Sequence, residues 1–256
     1  FGGIARLYGA QGLQRLRRSH VCVIGLGGVG SWAVEALARS GVGRLTLVDL
    51  DDICVSNINR QIHAVEGTVG KTKVEVMAAR ARAINPECEI LSRVEFFTES
   101  TAAGILAEPL ECVVDAIDSV RNKCLLIACS RERGIPIVVC GGTGGRRDAT
   151  AVRIADLAQT SHDRLLQKVR ERLRKEHGFP RRGQEFGVDC VYSAEAPVFP
   201  HQDGSVCATR PAVAGSSEDE PRQLNCESGL GSATFVTGTF GFIAASLAVR
   251  KIVEGV

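Results

Sequence analysis

Apolar residues recur along this chain with two periods, and their order sets the expected architecture. Val21, Cys22, Val23 and Ile24 form an unbroken apolar run that ends at a glycine. Such a run reads as a strand buried on both faces, as parallel sheets require. Residues 31–39 place Trp32, Ala36 and Leu37 among the apolar positions of a helix, which Gly41 and Gly43 break ahead of a second strand at 44–49. Residues 71–84 read as a helix stopped by Asn85 and Pro86, and 112–117 and 135–140 as strands flanking a helix at 121–133. This alternation predicts an α/β protein with a doubly wound, mainly parallel Rossmann-like sheet.

Beyond the glycine run at 141–145 the pattern changes. Residues 161–177 read as an amphipathic helix, and 201–222, rich in Gly, Ser, Asp and Pro, as a long surface loop suited to a lid. Residues 234–249 are apolar but hold two glycines and fall short of the roughly 20 residues a membrane span needs. A core helix without membrane contact is expected there. The whole chain, 1–256, is expected to be one domain, with a nucleotide-binding core at 20–145 and a C-terminal extension at 146–256.

Hydrophobic residues at 45% and charged residues at 23% exclude a largely disordered or fibrous chain. A formal net charge of +2 is too small to mark the whole surface as a polyanion binder, so charge has to be read locally. Residues 160–185 carry eight Lys/Arg against four Asp/Glu, and the cations run from Arg164 to Arg182. They form either a solvated helix face or a contact for RNA phosphates. The ten cysteines include no C-x-x-C pair, which removes the usual structural zinc spacing. With no signal-like apolar region in the opening residues, a reducing, cytoplasmic setting is expected.

The chemistry begins at Gly25-Leu26-Gly27-Gly28-Val29-Gly30, between a strand and a helix. There Gly25, Gly27, Gly28 and Gly30 permit a tight turn and bring phosphates to backbone N–H groups at the positive helix end. Asp49 closes the next strand at the spacing of a carboxylate that accepts hydrogen bonds from ribose hydroxyls. These features alone fit an NAD(P)- or FAD-dependent oxidoreductase equally well. Asp51, Asn57, Arg60, Gln61, Lys73 and Asp118 add two cations and further polar groups. In isolation Arg60 and Lys73 read as surface ion pairs with Asp51, Asp52 or Glu75, and Asn57 and Gln61 as caps of a turn.

In order and spacing, the segments Asp49-Leu50-Asp51-Asp52, Asn57-Ile58-Asn59-Arg60-Gln61, Gly70-Lys71-Thr72-Lys73 and Asp115-Ala116-Ile117-Asp118 resemble the adenylating domains of the ubiquitin-activating-enzyme superfamily (the ThiF/MoeB type). The whole chain further resembles the bacterial tRNA threonylcarbamoyladenosine dehydratase family. That likeness includes its opening Phe1-Gly2-Gly3-Ile4, Gly187-Val188-Asp189-Cys190, Cys226-Glu227-Ser228-Gly229 and Thr239-Phe240-Gly241-Phe242. The resemblance implies ATP and Mg²⁺, with Arg60 and Lys73 stabilising charge on the phosphates and Asp118 as the metal-holding acid. Gly25, Gly27, Gly28, Gly30, Asp49, Asp51, Asn57 and Gln61 are then the nucleotide-binding residues. It implies a tRNA substrate beside the anticodon, whose threonyl carboxylate is adenylated and then cyclised, and a homodimer. A catalytic role for Cys190 or Cys226 is optional in this chemistry. Adenylation or binding of a ubiquitin-like or sulfur-transfer protein partner is the alternative.

Overall fold

The computed structural model describes residues 1–201, 203–209 and 230–255. A first helix α1 (Gly2–Arg18) leads into β1 (His20–Ile24), whose five residues are all buried. Then follow α2 (Gly30–Arg39), β2 (Arg44–Val48), α3 (Lys73–Ile84), β3 (Glu89–Arg93), the short α4 (Ala102–Ile105), β4 (Cys112–Asp115), α5 (Val120–Glu132) and β5 (Ile137–Cys140). The later part supplies β6 (Val152–Asp156), α6 (Arg164–Glu176), β7 (Asp189–Ser193), a two-residue hairpin of β8 (Phe199–Pro200) and β9 (Val206–Cys207), and α7 (Thr234–Glu254).

Seven strands form one sheet in the order β3-β2-β1-β4-β5-β7-β6. Every pairing in it is parallel except β6 against β7, which is antiparallel. Because side chains alternate across a strand, Val21 and Val23 enter one core with α2, α3 and α7, while Cys22 and Ile24 enter the other with α5 and α6. This is the doubly wound α/β sheet expected from the sequence. The sheet does not stop at residue 145, since β6 and β7 of the C-terminal part extend it by two strands.

Two boundaries differ from expectation. α3 begins at Lys73, with Thr72 as a side-chain N-cap accepting from Glu75 N at 3.3 Å, so the cap fixes the start two residues later than periodicity suggests. α7 runs for 21 residues, so the length argument against a membrane span fails for it. The helix is long and apolar enough to cross a membrane, yet 61% of its most apolar window is buried inside the protein. One of its glycines has a packing cause: a Cβ at Gly241 would stand 2.5 Å from Val29 O and 2.7 Å from Trp32 Cβ on α2. Within 201–222, residues 203–209 contain β9 and the turn before it, and the remainder lies almost wholly outside the described residues.

Candidate active site

A cavity of about 710 Å³ opens at the C-terminal ends of β1, β2, β4 and β5, the edge where open α/β sheets hold ligands. Gly25, Gly27, Gly28, Asp49, Asp51, Asn57, Arg60, Gln61, Lys73 and Asp118 all line it. Gly30 does not: a Cβ there would sit 1.8 Å from Gly25 O, so its bare Cα lets α2 close against the turn. Gly25 has φ +90°, and a Cβ on it would stand 2.7 Å from Ala116 O, leaving glycine as the residue that fits. At Gly27 the nearest atom to such a Cβ is Gln61 Nε2 at 4.0 Å, so the turn is open towards the cavity at that point.

Asp49 is 7% exposed and braces the turn from the next strand. Its Oδ2 accepts from Leu26 N at 2.6 Å and its Oδ1 from Asp51 N at 2.9 Å. Its carboxylate therefore shapes the turn as well as facing the cavity. Lys73, the first residue of α3, is buried and pairs through Nζ with Asp51 Oδ2 at 2.7 Å, the partner that ion pairing alone would choose.

The turn at 57–61 carries Arg60. Asn57 Oδ1 accepts from Cys54 N at 3.0 Å, and Asn57 O accepts from Gln61 N at 2.9 Å. The Arg60 carbonyl is gripped by Trp32 Nε1 at 3.0 Å from α2 and by Thr237 Oγ1 at 3.3 Å from α7. Its guanidinium donates to Ser56 O at 2.6 Å and Asn59 Oδ1 at 3.0 Å, so it lies along its own turn at the cavity edge. Gln61 Oε1 is buried with no hydrogen-bond partner among the described residues.

Asp118 follows β4 and is reached by solvent through the cavity. Its crowded position pushes the carboxyl above its ordinary value, against the pull of Lys123, Arg60 and Lys73. Beneath it Lys123 Nζ and Asp115 Oδ2 stand 2.9 Å apart with both side chains fully buried. Burial works against the ammonium, and Asp115 overcomes it and holds Lys123 above its ordinary value.

Sequence reasoning passed over several lining residues. Cys54, Phe96, Phe97, Thr143 and Thr237 all face the cavity, Phe97 at 2% and Phe96 at 48% exposure. Periodicity offers no signal for the two phenylalanines, which lie in the irregular chain after β3, and Thr237 reaches the cavity from a helix 177 residues beyond Arg60. Cys190 is fully buried on β7, where burial pushes its thiol far up, the setting of an inert core cysteine. Cys226 lies outside the described residues. Along α6, Leu166, Val169 and Leu173 are buried against the sheet. Arg170 donates to Thr160 Oγ1, Arg172 pairs with Glu176 at 2.7 Å, and Arg174 donates to Pro180 O at 3.1 Å over the Phe186 ring. Exposed cations remain at Arg164, Lys168, Lys175, Arg181 and Arg182.

A glycine turn under a parallel sheet, with two cations and an acid converging on one cavity, defines a nucleotide-binding α/β enzyme site. The chain belongs to the ThiF family, whose family model matches residues 3–254. It is 50% identical over 253 residues to the tRNA threonylcarbamoyladenosine dehydratase of Escherichia coli (strain K12), covering 98% of this chain and 92% of that one. It is 46% identical to the Haemophilus influenzae tRNA threonylcarbamoyladenosine dehydratase over 257 residues, covering 99% and 93%. Among solved structures, the E. coli tRNA N6-threonylcarbamoyladenosine dehydratase in complex with ATP matches with TM-score 0.86 and 45% identity over 100% of this chain and 94% of that chain. The same enzyme in complex with AMP matches at 0.86 and 46%, with the same coverage.

Proposed function

We propose that this chain is an ATP-dependent tRNA threonylcarbamoyladenosine dehydratase that works through an acyl-adenylate. The observation that carries this reading is the convergence of Arg60, Lys73 and Asp118 on one cavity beside the glycine turn, in a chain matched over nearly its whole length by relatives of that name. A carboxylate oxygen of the substrate attacks the α-phosphorus of ATP, and the bond to the β-phosphate oxygen breaks to release pyrophosphate. Negative charge grows on the phosphoryl oxygens as this happens, and cations already placed there lower the barrier. A nucleophilic atom of the same modified base then attacks the acyl carbon, AMP leaves, and a proton is lost, so water is removed overall. Because both groups belong to one base, positioning suffices and no enzyme thioester is needed.

The donor set suits Mg²⁺. Asp118 accepts no hydrogen bond among the described residues and offers a hard oxygen donor, which would hold an ion that takes few protein ligands. Bound there, the ion would neutralise charge on the triphosphate. Phe235 and Phe242 on α7 and Leu7 on the adjoining α1 leave large apolar side chains exposed, which supports a two-fold homodimer. All nine cysteines among the described residues are free, which suits the cytosol. ATP–pyrophosphate exchange tests the reaction. Exchange that requires tRNA bearing threonylcarbamoyladenosine supports it, and NADH binding without exchange would move the chain to the oxidoreductases.

A further inference from the structure

Two parts of the cavity lining that lie far apart in sequence are joined by one short segment. The turn at 57–61 brings Arg60 to the cavity, and the loop 141–145 after β5 brings Gly141 and Thr143. Residues 230–234 bridge them. At one end Leu230 lies against Gly144, where an added Cβ would stand 2.9 Å from Leu230 Cβ, and Gly145 N donates to Gly231 O at 2.7 Å. At the other end Asn59 Nδ2 donates to Ser232 O at 2.8 Å and Thr234 Oγ1 donates to Asn59 O. Thr237 Oγ1, one turn into α7, then donates to Arg60 O at 3.3 Å.

Asn59 is where this bridge reaches the chemistry. Both ends of its side-chain amide are used: Nδ2 donates to Ser232 O, and Oδ1 accepts from Arg60 Nη1 at 3.0 Å. A guanidinium only donates and a carbonyl only accepts, so a group with a donor and an acceptor on one short stem is needed to serve both. Arg60 Nη1 also donates to Ser56 O at 2.6 Å, which fastens one edge of the guanidinium to its own turn. An arginine side chain left loose would have to give up its rotamer freedom each time it met the phosphates. Asn59 does not line the cavity itself, so any part it takes in the reaction passes through Arg60.

Building on the function proposed above, we propose that Asn59 is a positioning residue, which holds the Arg60 guanidinium at the cavity edge and ties it through residues 230–234 to the loop that carries Thr143. Arg60 then keeps one place relative to both parts of the lining. A cation held in this way needs no reorganisation when charge develops on the phosphoryl oxygens, so the hold acts on the rate of adenylation more than on ATP affinity.

The test is a double-mutant cycle read by ATP–pyrophosphate exchange with tRNA bearing threonylcarbamoyladenosine, using Asn59→Ala, Arg60→Ala and the two together. Asn59→Ala should lower kcat about fivefold, the size expected for a solvent-accessible hydrogen bond to a charged group, and leave the KM for ATP within about twofold of wild type. In the Arg60→Ala background the same change should cost less than about twofold, because the group it positions is gone. Thr234→Val keeps the shape of its side chain and removes only the bond to Asn59 O, so it loosens the bridge without touching the guanidinium. Its kcat should fall at least about twofold, again with ATP KM unmoved. Wild-type kcat in Asn59→Ala or in Thr234→Val overturns the proposal, and so does an equal loss from Asn59→Ala with and without Arg60, which a merely structural role would give. Absence of tRNA-dependent exchange in the wild-type protein instead removes the function on which it rests.

Discussion

Lys73 Nζ lies 2.7 Å from Asp51 Oδ2, in a pair whose lysine side chain is 8% exposed and whose aspartate is 54% exposed. The asymmetry matters, because a half-exposed carboxylate holds its partner weakly in water and gives it up readily to a triphosphate. Lys73 is thus a cation already inside the cavity, and Arg60, anchored through its carbonyl by Trp32 and Thr237, holds its guanidinium along its own turn at the cavity edge. Lys73→Ala and Arg60→Ala should each slow adenylate formation by at least about a hundredfold while ATP still binds measurably. Pyrophosphate exchange and calorimetric ATP titration check this, and wild-type exchange in either variant removes the role given to that cation.

The buried Lys123 and Asp115 pair tests what holds the floor beneath Asp118. Asp115 Oδ2 faces the ammonium at 2.9 Å, and its Oδ1 accepts from Ile117 N at 3.0 Å, so one side chain fixes both α5 and the turn that carries Asp118. Lys123→Met strands a buried carboxylate and should cost about 3–5 kcal/mol in urea unfolding. The double variant Lys123→Met with Asp115→Asn should be clearly more stable than the sum of the two single losses predicts. Strict additivity would mean the two groups do not interact.

The glycine turn, its strand and helix, and Asp49 were legible because their signals are local: a short apolar run, a break, then a helical period. The cations were legible only through the resemblance of the segments at 57–61 and 70–73 to the adenylating domains, since each alone reads as a surface ion pair. The Lys123 and Asp115 pair was not, since a lysine on a helix reads as solvated until the tertiary structure closes over it. The same holds for Arg146, one of two adjacent arginines in a glycine-rich loop, which is 4% exposed because neighbours in that loop are tied to Asp163, Glu195 and Gly231. The strands β6 and β7 escaped the reading because the antiparallel edge lies in sequence whose polar and apolar positions mix.

His63 makes stability depend on pH. It is 2% exposed, and neither ring nitrogen has a hydrogen-bond partner among the described residues. Burial first, then Lys73 and Arg80, lower its pKa to about 4. The unfolded chain therefore binds the proton more readily, so stability is fully present above the unfolded value of about 6.5 and is lost as the pH falls towards 4. Between pH 7.5 and 5 this group alone should remove about 2 kcal/mol. Urea unfolding at the two pH values should show that difference shrink in His63→Leu, and an equal pH slope in the variant would place the proton elsewhere.

The basic segment gives the last prediction, and the structure changes which residues it concerns. Arg170, Arg172 and Arg174 are spent on Thr160, Glu176 and Pro180, so neutralising them would disturb α6 rather than an open surface. Lys168, Lys175, Arg181 and Arg182 are exposed and free to meet phosphates. If tRNA docks there, changing these four to glutamine should raise the KM for tRNA and flatten its dependence on salt, since fewer counterions are released on binding. ATP affinity should not move, because these residues stand outside the cavity lining. Binding of tRNA measured at low and high salt decides the matter. An unchanged salt slope in the quadruple variant makes this charge a solvated helix face, and the RNA surface then lies on another part of the molecule.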